Sequence, residues 1–206
     1  MFTVNNAAVA GLLLGLTIST GSAGVIVENL AGTLGPVTEY YGQSFTTPSG
    51  GPFDDLTFSF FSDVPAATPS AAGTAYLLSE PYSGTPAGLS TTTPGFLAAS
   101  TGVSSGVYIF GATVTIQSGV TYYLYEDTAL PATGGNAITG GNAYFANAST
   151  TAFATALTPD STALQSANFE LSGSAVPLTS TVPEPAPLVL VAAGIGACLT
   201  RKKVTP

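Results

Sequence analysis

The chain has 206 residues, enough for one domain of ordinary size with a segment at each end. Charged residues make up 7% and hydrophobic ones 45%, against about 25% charged in ordinary soluble domains, so the fold must rest on apolar packing and backbone hydrogen bonds. There is no His, and the only basic side chains are Arg201, Lys202 and Lys203, which excludes nucleic-acid binding through a basic surface, P-loop phosphate binding, and catalysis or zinc binding that needs His or an internal Lys.

At the N-terminus, residues 7–18 form an apolar run of signal-peptide length, too short to span a membrane. Gly21, Ser22 and Ala23 supply the small residues of a cleavage site, so residues 1–23 read as an export signal. Its n-region carries no Lys or Arg. A buried helix is the competing reading, and the glycines that interrupt the run argue against it.

Residues 24–173 then hold ten acids and no base. No ion pair can form within them, and a charge of one sign favours solubility and disfavours anionic surfaces. Alternation of apolar and hydroxyl side chains is frequent, with β-branched and aromatic residues. It predicts strands near Val25–Leu30, Tyr41–Thr46, Leu56–Phe60, Thr74–Leu78, Val120–Tyr125, Ala143–Ala146 and Phe169–Leu171. Val107 to Ile116 reads as one long strand, or two joined at Gly111. Turn-forming residues cluster at Thr47–Pro52, Pro65–Gly73, Ser83–Pro94 and Thr133–Asn142. Many short strands with turns between them predict an all-β domain, an antiparallel β-sandwich of jelly-roll-like form. Leu130-Pro131-Ala132-Thr133-Gly134 matches the LPxTG sortase pattern, yet domain sequence follows it in place of an apolar span and basic tail. It reads as a proline-glycine turn.

After a linker at residues 174–181 comes Val182-Pro183-Glu184-Pro185, then an apolar stretch from Ala186 to Leu199, then Arg201-Lys202-Lys203. The basic cluster acts as a cytoplasmic stop and places the proline motif at the outer face of the membrane. Residues 186–200 as a helix span about 22 Å against a hydrocarbon core nearer 30 Å, a length suited to a transient anchor. Cys198, the one cysteine, falls inside this run and reads as a small apolar residue.

With motif, apolar run and basic tail in this order, residues 182–206 resemble the PEP-CTERM sorting signal of exported bacterial proteins. The resemblance implies recognition and processing by exosortase, a membrane enzyme, and an association with exopolysaccharide and biofilm. The residues Val204-Thr205-Pro206 after the basic cluster and the short apolar run depart slightly from that pattern. Gln43-Ser44-Phe45-Thr46, Leu56-Thr57-Phe58, Tyr76-Leu77, Gly119 to Leu124 and Phe169 to Gly173 are similar to the choice-of-anchor domains, extracellular β-domains for which the resemblance implies no catalytic activity.

Two side-chain groups carry candidate chemistry within the domain. Asp54-Asp55 and Glu126-Asp127 are the only adjacent acid pairs, both expected at strand ends. Such carboxylates with loop carbonyls suit Ca²⁺, and a glycosidase acid/base pair requires a separation of about 5–9.5 Å. Solvated turn residues are the plainer reading, and neither an EF-hand loop nor a GGxGxD repeat is present. Asp127-Thr128-Ala129 and Asp160-Ser161-Thr162 lack the glycine of an aspartic-protease turn. Tyr122, Tyr123 and Tyr125 suit stacking on sugar rings, with packing in the sheet as the alternative. The expected function is that of an exported, non-enzymatic surface or matrix protein, held briefly in the inner membrane and sorted by its tail without a cofactor. A carbohydrate-binding module, with or without calcium, and more remotely a carboxylate glycoside hydrolase, are the alternatives.

Overall fold

The computed structural model describes residues 23–32, 34–63, 66–135, 141–155 and 166–177. Residues 1–22 and 178–206, which carry the expected export signal and sorting tail, lie outside the described residues. The chain divides into two units, Met1–Val176 and Pro177–Pro206, and the description concerns the first.

The described residues are all-β. In chain order the strands are β1 (Gly24–Asn29), β2 (Leu34–Thr46), β3 (Phe53–Phe61), β4 (Pro69–Ser70), β5 (Ala75–Leu78), β6 (Phe96–Ala99), β7 (Gly102–Ser104), β8 (Val107–Ile109), β9 (Thr121–Glu126), β10 (Leu130–Gly135), β11 (Ala143–Ala146), β12 (Ala154–Thr155), β13 (Ser166–Ala167) and β14 (Phe169–Ala175). A single 3-10 turn, Pro86–Gly88, lies between β5 and β6. Every strand pairing is antiparallel. One sheet runs β1-β14-β3-β8-β7, with β4 also on β3. The other runs β12-β11-β2-β9-β5-β6, with β10 on β2 and β13 on β10.

Inner faces of the two sheets meet in a core that the period-two alternation anticipates. Tyr41 and Phe45 of β2, Leu77 of β5 and Tyr122 and Leu124 of β9 pack with Phe58 and Phe60 of β3, Tyr108 of β8 and Phe169 and Leu171 of β14. Phe58 lies stacked against Phe169, with ring centroids 5.5 Å apart, and Phe45 reaches both from the opposite sheet.

A second apolar cluster lies on the other face of the larger sheet. There the loop after β5 and the segment after β11 bring Tyr82, Leu89 and Phe153 over Leu78 and Tyr125. Tyr125 lies flat enough on β2 that a Cβ at Gly42 would stand 2.3 Å from its ring, so this position must be glycine. The sheet is therefore buried over much of both faces, which explains why aromatic residues fall on both sides of β9.

Three readings of the sequence are corrected. The stretch 107–116 is not a long strand: β8 ends at Ile109, a turn closes from Gly111 to Val114, and Ile116 makes only an isolated bridge to Phe53. Leu130-Pro131-Ala132-Thr133-Gly134 is not a turn but most of β10, paired to β2. At Pro131 only β2 adjoins it, and an edge position tolerates a residue with no N–H. The second strand begins at Leu34, well before Tyr41, and runs through Gly35 and Pro36.

One crossing joins the sheets at a buried amide. The chain passes from β13 in one sheet to β14 in the other through Asn168, which has no exposed surface. Its Oδ1 accepts the Gly32 N–H at 2.8 Å, and its Nδ2 donates to the Gly32 carbonyl at 3.1 Å and to Thr133 Oγ1 at 2.6 Å.

Candidate functional site

The two acid pairs occupy separate parts of the fold. Asp54 and Asp55 lie near the start of β3, where Asp55 and Leu56 face the single residue Gly173 of β14. Asp55 is thus the extra residue of a β-bulge; it is exposed, with φ at 50°. Aspartate tolerates this left-handed conformation better than most side chains. Backbone geometry accounts for it without a ligand.

Glu126 closes β9, and the alternation that turns Tyr122 and Leu124 inward turns its carboxyl inward too. The chain then bends through Asp127–Ala129 before resuming along β2 as β10, with the register advanced by two residues. At that bend Glu126 Oε1 accepts the backbone N–H of Tyr41 at 2.9 Å, and Oε2 lies 2.9 Å from the Tyr108 hydroxyl. The carboxyl has no exposed surface. Burial away from water pushes its pKa well above the ordinary carboxylate range; the two hydrogen bonds pull it down, and the neighbouring Asp127 pushes it further up. Asp127 turns the other way. Its Oδ1 accepts the N–H of Thr74 at 2.8 Å and the hydroxyl of Thr128 at 2.9 Å.

The expected set Asp54, Asp55, Glu126 and Asp127 is therefore not assembled. Both oxygens of Glu126 are engaged inside the core, so it can neither face a solvent cation nor meet a glycan as acid or base. Among the described residues no three His, Cys, Asp or Glu side chains stand close enough to share a metal ion.

The tyrosine row is corrected as well. Successive residues of a strand face opposite ways, so Tyr122 points into the core while Tyr123 and Tyr125 point outward. Tyr125 is in turn covered by Tyr82 and Phe153, and its hydroxyl accepts the Tyr82 N–H at 3.0 Å. Neither Tyr122 nor Tyr125 is available for stacking. Tyr123 is half-exposed, and Tyr144 of β11, also half-exposed, stands beside it at 6.2 Å between ring centroids. Tyr144 was not among the expected residues; its place beside Tyr123 depends on β2 lying between β11 and β9.

Val182, Pro183, Glu184, Pro185, Arg201, Lys202 and Lys203 lie outside the described residues. Among the described residues no helix is long and apolar enough to cross a membrane. No family model matches the chain, and neither a curated protein nor a solved structure matches it.

Proposed function

We propose that this chain is an exported bacterial surface or matrix protein, in which an all-β, jelly-roll-like domain is displayed outside the cell. An N-terminal signal helix at residues 1–23 directs export, and a short C-terminal membrane helix holds the product until it is processed. The observation that carries the reading is the order of Val182-Pro183-Glu184-Pro185, the apolar stretch Ala186–Leu199 and the basic cluster Arg201-Lys202-Lys203. An exosortase-type enzyme is the partner, and Glu184 between its two prolines is recognised, not catalytic. Two prolines keep that segment extended for an enzyme's cleft. Replacing Pro183, Glu184 and Pro185 together by alanine is expected to leave a membrane-held product of higher mass in the native host. Intact-mass measurement of the surface fraction checks this; normal release of the triple variant would refute the sorting role.

A second reading concerns what the domain touches. Tyr123 and Tyr144 present two adjacent half-exposed rings, and aromatic faces with polar tips suit sugar rings. The domain's single sign of charge directs this reading to a neutral polysaccharide. Retardation in gels cast with neutral glycans is expected, weakened about tenfold or more by Tyr123→Ala with Tyr144→Ala, given roughly 1–3 kcal/mol per stacked ring by analogy with bases. Equal retardation of variant and parent would dismiss the platform.

A further inference from the structure

Glu126 is a buried acid with no cation to pair with, because the described residues include no Lys, Arg or His. The titratable groups around it are Tyr41 of β2, Tyr108 of β8 and, turned away but close enough for its charge to act, Asp127 in the bend that follows it. Glu39 adds its charge to the surroundings of Tyr41. The hydrogens around Tyr108 can be counted. Its oxygen lies 2.7 Å from the Ala72 carbonyl, 3.1 Å from the Ala72 nitrogen and 2.9 Å from Glu126 Oε2. Ala72 N–H supplies the hydrogen for its own contact. A carbonyl supplies none, so the single phenolic hydrogen belongs on the shortest contact, to Ala72. The remaining contact then needs a hydrogen from Glu126.

We propose that Glu126 is held as a neutral acid that donates to Tyr108, which donates to the Ala72 carbonyl, and that loss of this one proton unfastens the segment between β4 and β5. The exchange balances. The proton leaves Oε2 for solvent, and the Tyr108 hydrogen swings from the Ala72 carbonyl to the new carboxylate. The Ala72 carbonyl has then lost its donor, and the movement that hydrates it draws the Ala72 N–H away from Tyr108 as well. Ala72 is half-buried, so its carbonyl regains a partner only by moving toward water. The chain Glu126–Tyr108–Ala72 is thus a latch closed while Glu126 keeps its proton and opened when rising pH removes it.

Burial raises the proton affinity of Glu126 in the folded state, in the same direction as the hydrogen count. Its contribution to stability is complete below the ordinary value of 4.5 and is lost as pH rises through the raised one. Tyr41 and Tyr108, both pushed up chiefly by burial, add a loss of the same sign at strongly alkaline pH.

The test is a pH titration of the full chain carrying carbon-13 at the glutamate carboxyls. One resonance, absent from Glu126→Gln, is expected to stay at the neutral-acid position as pH rises past the ordinary value of 4.5 and to move only well above it. Over that same rise the protection of the Ala72 amide against exchange, corrected for base catalysis, should fall, and the urea midpoint of the parent should fall more steeply than that of Glu126→Gln. Movement of the Glu126 resonance to the carboxylate position at the ordinary value of 4.5 would overturn the assignment. Titration of Glu126 with no change at Ala72 would overturn the latch. Should Glu126→Gln fail to fold, Tyr108→Phe, which removes the hydroxyl beside Oε2, identifies the resonance by displacing it.

Discussion

Phe58→Ala is expected to destabilise the domain by about 3–5 kcal/mol, a large part of the roughly 5–15 kcal/mol that holds a domain of this kind together. The ring is fully buried in the middle of β3. It lies parallel to Phe169 on the neighbouring strand at 5.5 Å, meets Phe60 edge-on at 5.0 Å, and faces Phe45 of the opposite sheet at 6.3 Å. Truncation removes apolar area and also leaves a cavity between two sheets whose backbones are fixed by their ladders, so collapse around it is limited. Phe58→Leu keeps most of the volume and should cost roughly 1–2 kcal/mol. Urea unfolding followed by far-ultraviolet circular dichroism checks both, with an unchanged slope against denaturant. A loss below about 1 kcal/mol for the alanine variant would mean that Phe58 does not join the two sheets.

Asn168→Ala should have a comparable effect, about 3–5 kcal/mol, for a different reason. Three side-chain hydrogen bonds disappear, and Gly32 keeps a buried N–H and a buried carbonyl with their partner gone. Each orphaned group costs about 1–3 kcal/mol. No rearrangement of residue 32 relieves this easily: a Cβ there would stand 2.7 Å from the backbone of Gly134, so the turn is already in contact with β10. Backbone bonds at the same crossing remain, from Asn168 N–H to Thr133 at 2.9 Å and from Phe61 N–H to Asn168 at 3.0 Å. The strands should therefore stay paired while the Gly32 amide loses its protection. Hydrogen exchange at Gly32, read beside the urea midpoint, separates local from global loss. Unchanged protection at Gly32 would show that the amide does not hold the turn.

Much of the fold is legible in local pattern. Leu56-Thr57-Phe58-Ser59-Phe60 alternates, and its phenylalanines face the core. The strands near residues 25, 75, 121 and 143 stand within a residue or two of where alternation puts them, and the last begins at Phe169 as expected but runs on to Ala175, past the expected end of the domain at residue 173. What local pattern missed has identifiable causes. Two-residue strands such as β4, β12 and β13 are too short to show a period. Pro131 and two glycines disguise β10 as a turn, because its pairing with β2 and β13 is not visible along the chain. Gly111 opens a turn two residues after β8 has ended and does not join two strands.

The candidate site follows the same division. Counting by twos from Tyr122 through Leu124 turns Glu126 into the core, a signal available in the sequence and outweighed by its reading as the end of a strand. The same count separates Tyr122 from Tyr123 and Tyr125. Nothing local, however, places Tyr41 and Tyr108 at the carboxyl, since they stand 85 and 18 residues away from it.

By itself the sequence determined the chemistry that any interior could contain. With no Lys, Arg or His before residue 201, an acid drawn inside this domain has only hydroxyls, side-chain amides and backbone groups to meet it. Alternation determined the all-β character of the described residues, because side-chain direction along a strand depends on nearest neighbours alone. Only the tertiary structure decided which acid went inside, which tyrosines were covered by the loops after β5 and β11, and that Tyr144 came to lie beside Tyr123. Those outcomes depend on register, on the bend between β9 and β10 and on loop packing, each fixed by contacts between residues far apart in the chain.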